Sequence, residues 1–427
     1  MPEINIEPKI KIQDVCEAIG ETYIIKDVGV IKLILATIIS NRKNKNDKPI
    51  WLLLLGGSSS GKTILLQLLR RVGKWVIDVD TLSVNTFASG FGGDGRDNSL
   101  LHKANFGVLV FKDFTTITSM NEEGLREIMG QMRAIYDGKF DRLLGNGKSI
   151  NWEGKVGIIA AGTIDVQRRM RYFSQNGERF LNYIPEIGDS VEIGMKAMSN
   201  QKDIAEKEEV LAQIVGKFIN QKLEESYNNL RFIPEELERH IVEVANFCTL
   251  ARSPVNMNRK NPCVVDYVPE REQPPRMAMM LKNTAVGLMH IDGEDRLSEE
   301  NAKIIYKVGL DSIPVERKLA LMVLAKYRSS TTKNMAIKLN YTTDTVRAWL
   351  NQLNALKMVD RIAGSGREGD SWKLKEEYKE ILVEYLDIET EDVELSVSDE
   401  EASNAYIESI PDVPEVPMNT PDTLADW

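Results

Sequence analysis

Lys62 and Thr63 close the run Gly56, Gly57, Ser58, Ser59, Ser60, Gly61, Lys62, Thr63. This is the spacing G-x-x-x-x-G-K-[ST]. In it small residues let backbone N–H groups surround phosphate oxygens, the lysine reaches the β- and γ-phosphates, and the threonine hydroxyl holds Mg²⁺. The chemistry implied is the binding of ATP with Mg²⁺ as cofactor. A second acidic position follows at the end of residues 107–114, where Val108, Leu109, Val110 and Phe111 lead into Lys112 and Asp113. An apolar strand tipped by an acid supplies the carboxylate that holds the metal of such a site. Two assignments stay open: Asp113 is the metal carboxylate and the water-activating base lies elsewhere, or Asp113 is the base and Lys112 stands where the metal ligand would be. A lysine beside Mg²⁺ is repelled, which favours the first. Glu122 and Glu123 are then options for the base.

The elements around these residues follow from periodicity. Ile50 to Leu55 is an uninterrupted apolar run ahead of the glycines, as expected of a strand buried on both faces of a parallel sheet, and the leucines after Thr63 recur at helical spacing. Residues 75–79 and 156–163 read as further strands, the last ending in Thr163. Residues 122–138 read as a helix with Leu125, Ile128, Met132 and Ile135 on one face, followed by a hairpin signal at Asn146 and Gly147. Residues before 49 read as helices, with 28–39 apolar nearly all round; Tyr23, Ile24 and Ile25 read as core packing, and by analogy with many P-loop ATPases could instead line a base pocket.

In that order these motifs resemble the AAA+ ATPases, in the branch that holds the minichromosome-maintenance helicases and related phage or plasmid replication proteins. The resemblance covers roughly residues 18–312. It implies that Thr163 is the sensor-1 residue orienting the attacking water, and that the hairpin around residues 145–147 projects into the pore of a ring, with Arg142 and Lys148 on DNA. It also implies that Arg179, in Gly177, Glu178, Arg179, Phe180, is the arginine finger reaching a neighbouring subunit's γ-phosphate, with Arg168, Arg169 and Arg171 close by. Helical segments at 206–223 and 234–248 would lead to a lid whose helix begins at Arg276, the sensor-2 arginine.

From residue 314 the pattern changes to three short helices and a hairpin, resembling a winged helix-turn-helix. The third helix, 343–356, turns Val346, Leu350, Leu353 and Leu356 inward and offers Thr343, Thr345, Arg347 and Asn351 outward, side chains suited to base edges and phosphates in a major groove. Arg361, Arg367 and Lys373 on the hairpin would meet the phosphate backbone.

Composition sets the class. The 427 residues are 42% hydrophobic and 28% charged, ordinary for a globular protein of two to four domains. Residues 380–427 hold no Lys or Arg but 15 Asp and Glu, which leaves the rest near +5 within a whole-chain net charge of −10. A mildly basic body with an acidic tail suits a DNA-binding protein. The tail is expected to be disordered, and either competes with DNA or recruits a replication partner protein. No run approaches the roughly 18 apolar residues of a membrane span. The start has no basic segment leading into an apolar one, so no secretory signal is expected. With three scattered cysteines, Cys16, Cys248 and Cys263, the setting expected is the cytoplasm of a bacterial, archaeal or phage-infected cell. His102, His240 and His290 are isolated, which leaves no metal cluster or nucleophile triad to propose.

The expected architecture is therefore α/β. A helical segment over 1–48 precedes an AAA+ parallel sheet flanked by helices over 49–200. A helical lid over 201–313, a winged-helix α+β domain over 314–380 and an acidic tail over 381–427 follow. The function expected is an ATP-hydrolysing, hexameric DNA motor or remodeller of phage or mobile-element replication, with no membrane. The alternative is an ATP-gated DNA-binding switch with slow or no hydrolysis.

Overall fold

Ile50 has no strand partner on one side, and Asn41 takes that place: its carboxamide accepts from Ile50 N and donates to Ile50 O, both at 2.9 Å. This side chain ties the start of the first strand to the N-terminal helices. The computed structural model describes residues 9–43, 47–57, 60–81, 83, 85–87, 100–143, 149–173, 178–225, 232–364, 369–386 and 388–395. Helices α1 (Ile12–Thr22) and α2 (Val28–Lys43) lead into β1 (Trp51–Leu55), every residue of which is buried. Residues 30–41 of α2 are all buried. Lys32 in its middle survives there because Asp292, at 3.0 Å, and Glu300, at 3.1 Å, receive its ammonium.

Helix α3 (Lys62–Gln67) passes into a 3₁₀ turn at Leu68–Arg71, then come β2 (Val76–Asp78), α4 (Leu100–Lys103) and β3 (Gly107–Phe111). Helix α5 (Glu122–Asp137) starts at an Asn121 cap and stops at Gly138, whose φ of 90° is the left-handed conformation that ends helices. Strands β4 (Lys139–Leu143) and β5 (Ser149–Glu153) form a separate antiparallel ribbon. Strand β6 (Val156–Gly162), helix α6 (Ile164–Phe173) and strand β7 (Phe180–Tyr183) complete the α/β core. The main sheet has the order β2-β3-β6-β1-β7 and every pairing is parallel. Consecutive parallel strands need helical crossovers, which explains the alternation along the chain.

Helices α7 (Ser190–Asn200), α8 (Ile204–Glu224), α9 (Glu235–Arg252), α10 (Pro275–Asp292) and α11 (Glu299–Asp311) follow, with the small hairpin β8 (Asn256–Met257) and β9 (Val265–Tyr267) between α9 and α10. Helix α10 packs along α2, and α11 closes the free edge of β7. There Ser312 Oγ accepts from Asn182 N at 3.0 Å and Asp311 Oδ2 from Ile184 N at 2.8 Å, so side chains replace the next strand. Burial alone would raise the Asp311 carboxyl, but Lys318, Lys307 and the Ile184 N–H hold it below its ordinary value.

The C-terminal unit runs α12 (Val315–Lys326), β10 (Tyr327–Thr331), α13 (Thr332–Leu339), α14 (Thr343–Ala355), β11 (Val359–Ile362), β12 (Ser371–Leu374) and α15 (Glu376–Leu386). Val346, Leu350, Leu353 and Leu356 are buried as their spacing requires. Two features depart from the sequence reading. Strand β10 was not expected. The acidic segment, expected to be disordered from 381, instead completes α15 and then pairs as β13 (Glu391–Leu395) in parallel with β10. Lys326 holds Glu391 at 3.1 Å and Ser329 donates to Glu394 at 2.9 Å, so local pairing outweighs the acidic composition there. Residues 396–427 lie outside those described.

The α2–α10 contact is the tightest of these joins. A Cβ on Gly287 would stand 2.3 Å from Ser40 Oγ and 2.7 Å from the Ala36 carbonyl. Gly287→Ala is therefore expected to destabilise the chain by about 1–3 kcal/mol, read as a lower urea midpoint; an unchanged midpoint would show that the two helices separate freely.

Candidate functional site

Three of the sequence-predicted groups meet at one edge of the parallel sheet. Gly56 N donates to Gly162 O at 3.2 Å and Phe114 N to Ala161 O at 2.7 Å, so the ends of β1, β6 and β3 are level. The register Phe111↔Ala160 and Leu55↔Gly162 carries Asp113, Thr163 and Gly56 onto this C-terminal edge in that spatial order. Two strand spacings, roughly 10 Å, separate the outer two. Thr63 and Asp113 are exposed and Thr163 is half-buried.

The phosphate loop is built around its lysine. Gly61 has φ 79°, a left-handed conformation that glycine adopts without strain, and from it α3 starts with Lys62 as its first residue. Lys62 is 8% exposed, and its Nζ donates to Gly56 O at 3.0 Å, Gly57 O at 2.7 Å and Ser60 Oγ. Burial lowers its pKa to about 8. An ammonium so poorly solvated gains most from an anion, which is the property a triphosphate site uses. Ser58 and Ser59 lie outside the described residues.

At the neighbouring acid the two open assignments can be compared. Lys112 Nζ turns to Asp78 Oδ2 at 2.7 Å, on the adjacent strand β2, and so away from a metal role. Asp113 Oδ1 accepts from Thr115 N at 2.9 Å and from Thr115 Oγ1, which fixes the carboxylate at the strand tip. Thr63 and Asp113 thus offer a hydroxyl and a carboxylate on the edge that carries Lys62, a donor set that fits Mg²⁺ with phosphate oxygens.

An open cleft of about 370 Å³ adjoins the loop, lined by Ser60, Lys62 and Leu65 together with Ile24, Ile25, Asp27, Val30 and the segment Pro185, Glu186, Ile187, Gly188. Ile24 and Ile25 line it. Tyr23 does not: its hydroxyl donates to Glu208 at 2.6 Å. The segment after β7 was missed, although Pro185 and Gly188 mark it as a turn. Asp27 holds it, accepting from Tyr183 Oη at 2.8 Å and Glu186 N at 3.3 Å.

Arg179 and Arg276 are not at this edge. Arg179 immediately precedes β7, whose first residue Phe180 pairs with Trp51 at the start of β1. The length of β1, roughly 13 Å, lies between it and the phosphate loop, beyond the reach of its side chain. Arg276 is in the first turn of α10, 3.8 Å from Glu272, which Arg252 holds with two bonds of 2.9 Å. Burial first, then the like charge of Arg276, lowers the Arg179 pKa. Arg168 is held by Glu316 at 2.6 Å and Arg169 donates to Met120 O at 3.3 Å, while the Arg171 side chain is outside those described.

The residues expected on DNA are scattered and mostly engaged. Arg142 pairs with Glu127 at 3.1 Å, Arg347 with Asp344 at 2.7 Å, and Arg361 with Asp370. Thr345 serves the cap of α14 through Thr342 Oγ1 at 2.8 Å. Asn351 Nδ2 donates to Cys263 O at 2.7 Å, so the hairpin containing β8 and β9 rests on the outward face of α14. Thr343 is half-buried and Lys373 is exposed, whereas Lys148, Arg367 and the turn at residues 144–148 lie outside the described residues. Among the described residues no helix is long and apolar enough to cross a membrane.

Compared with protein-family models and with curated protein sequences, the chain matches none. Its site is therefore read from its own geometry.

The buried Lys62 has a consequence for pH. An anion favours the ammonium form, so if ATP binds here its affinity is expected to be level below pH 8, where the free protein already carries the charge. Above pH 8 the free lysine loses its proton, binding must take one up, and affinity falls by about tenfold per pH unit. Calorimetric titration with ATP from pH 7 to 9.5 checks this; a flat profile would mean that Lys62 does not meet the phosphates.

Proposed function

We propose that the chain binds ATP with Mg²⁺ at the C-terminal sheet edge and hydrolyses it as an AAA+ motor or remodeller of DNA, working as a homo-oligomeric ring. The observation that carries the proposal is the desolvated Lys62 ammonium enclosed by Gly56, Gly57 and Ser60 on the edge that also carries Thr63, Asp113 and Thr163. In this reading Lys62 and the loop amides bind the triphosphate, and Thr63 and Asp113 hold the metal, which neutralises phosphate charge. Thr163, on the strand between the loop and Asp113, positions water. Two further features agree with it. Strand β6 lies between β1 and β3, which sets a polar tip midway between phosphate and metal positions. Arg179 lies at the opposite edge, out of reach of this copy's phosphate loop and open to a nucleotide held by a neighbouring copy.

The helix, strand, helix, helix, hairpin order of the C-terminal unit agrees with a winged helix that places this ring on DNA in phage or mobile-element replication. One observation favours the alternative of an ATP-gated DNA-binding switch. The outward face of α14 is bonded to Cys263, and Arg317, fully buried, joins Gln352 of α14 to the carbonyls of Ala251 and Ser253 at the end of α9. A reading helix so tied to the neighbouring helices would be released or withheld by their movement.

Lys62→Ala is expected to weaken ATP binding by about 10- to 100-fold, the loss of one charge-assisted contact, and to abolish hydrolysis. Asp113→Asn keeps ATP binding but removes Mg²⁺-dependent turnover. A strand-displacement assay separates the two readings. ATP-dependent unwinding that Lys62→Ala abolishes supports the motor, and ATP-dependent DNA retention without displacement supports the switch. If neither variant alters ATP binding or turnover, the nucleotide site is misplaced.

A further inference from the structure

The edge opposite the phosphate loop holds a group of buried donors short of acceptors. The last turns of α5 bring Arg133 and Tyr136 there, with the Tyr136 ring edge-on to Trp51 at 5.1 Å between centroids. The Arg179 guanidinium lies 5.5 Å from the Tyr136 ring centre. Tyr136 is 2% exposed, yet its hydroxyl has no hydrogen-bond partner among the described residues, and neither do Arg133 Nε and Arg252 Nη1, while Arg276 Nη1 meets only Glu272 Oε1, at 3.8 Å. The acids nearby are committed. Glu272 takes both bonds from Arg252, and Glu178 Oε1 accepts the N–H groups of Arg179 and Phe180 at 3.1 and 3.2 Å. Asp137 stands 3.8 Å from Arg179. A small open pocket lined by Arg133, Glu178, Arg179, Trp51 and Phe180 adjoins them, and Tyr136 and Arg276 are not in its lining.

Buried donors without acceptors are costly unless a ligand supplies the acceptors. A tetrahedral phosphate group has several, and guanidinium forks match it in charge and geometry. We infer that Arg133 and Tyr136 complete, with Arg179 and Arg276, a receptor for the terminal phosphate of a nucleotide bound to a neighbouring copy of this chain. The inference rests on the shared-site reading above and adds two residues of α5 to it. This chain's own nucleotide cannot be the source, since β1 separates the two edges.

The test uses the full chain carrying Lys62→Ala, which weakens its own phosphate loop, titrated with inorganic tripolyphosphate by calorimetry. Saturable binding is expected, weakened roughly 10- to 100-fold by adding Arg133→Gln and several-fold by adding Tyr136→Phe. Tyr136→Phe keeps the ring against Trp51 and so leaves folding intact. Affinity unchanged by both substitutions overturns the inference, and so does displacement of tripolyphosphate by single-stranded DNA, which would assign the site to nucleic-acid phosphates.

A second arm mixes Lys62→Ala protein with Arg133→Gln protein, each expected to be weak as an ATPase alone. The mixture should regain activity as the intact loop of one copy meets the intact arginine face of the other. A parallel mixture with Arg179→Ala isolates the shared-site reading. If that pair complements while Arg133→Gln is fully active alone, the inference fails and the reading stands. If neither pair complements but tripolyphosphate binding still depends on Arg133, the reading fails and the phosphate site stands.

Discussion

The parallel direction of the five-stranded sheet is the constraint from which the functional geometry follows. Parallel strands place all their C-terminal ends on one edge and their N-terminal ends on the other. The phosphate loop leaves β1, Asp113 follows β3 and Thr163 follows β6, so all three arrive at one edge. Arg179 enters β7 and must therefore lie at the other. No side-chain rearrangement within one copy can bring Arg179 to Lys62 while β1 and β7 remain paired. The separation of Arg179 from Lys62 is thus a property of the topology and does not depend on the exact position of any loop; the shared site is the reading proposed for it.

Strand β7 links the two edges. Arg179 stands at one end, and at the other Ile184 is bonded to Asp311 just before Pro185 and Gly188 reach the cleft beside Lys62. Helix α11 grips the free side of this strand through Asp311 and Ser312, while Lys318 of α12 also holds Asp311. The cleft beside Lys62, the arginine edge and the C-terminal unit therefore share one strand and one buried carboxylate. In a close-packed interior such contacts transmit a shift as a unit, since no slack exists to absorb it.

Much of this was legible in the sequence. The strand, loop and helix around Lys62 announce themselves because burial on both faces demands an unbroken apolar run, and a left-handed turn demands Gly61. The inward positions of α14 were equally plain from their spacing. Other parts could not be read because they depend on contacts far apart in the chain. Lys32 looks like a break in an apolar helix until Asp292 and Glu300, some 260 residues on, are found to receive it. Asn351 looks like a base-reading side chain until Cys263 is found against it. Glu391 and Glu394 look like part of a solvated acidic run, yet Lys326 and Ser329 draw them into a sheet. The gathering of Arg133, Arg179 and Arg276 has no local signature at all, because α5, the start of β7 and the start of α10 meet only in the folded chain.

The central claim is that one copy holds the loop half of an ATP site and presents the arginine half to another. Specific ATPase activity measured across a dilution series, with the oligomeric state followed in parallel by light scattering, tests it most directly. The account predicts that activity per chain rises with concentration as copies associate and levels off once association is complete. Full specific activity at concentrations where the chain is monomeric would contradict it.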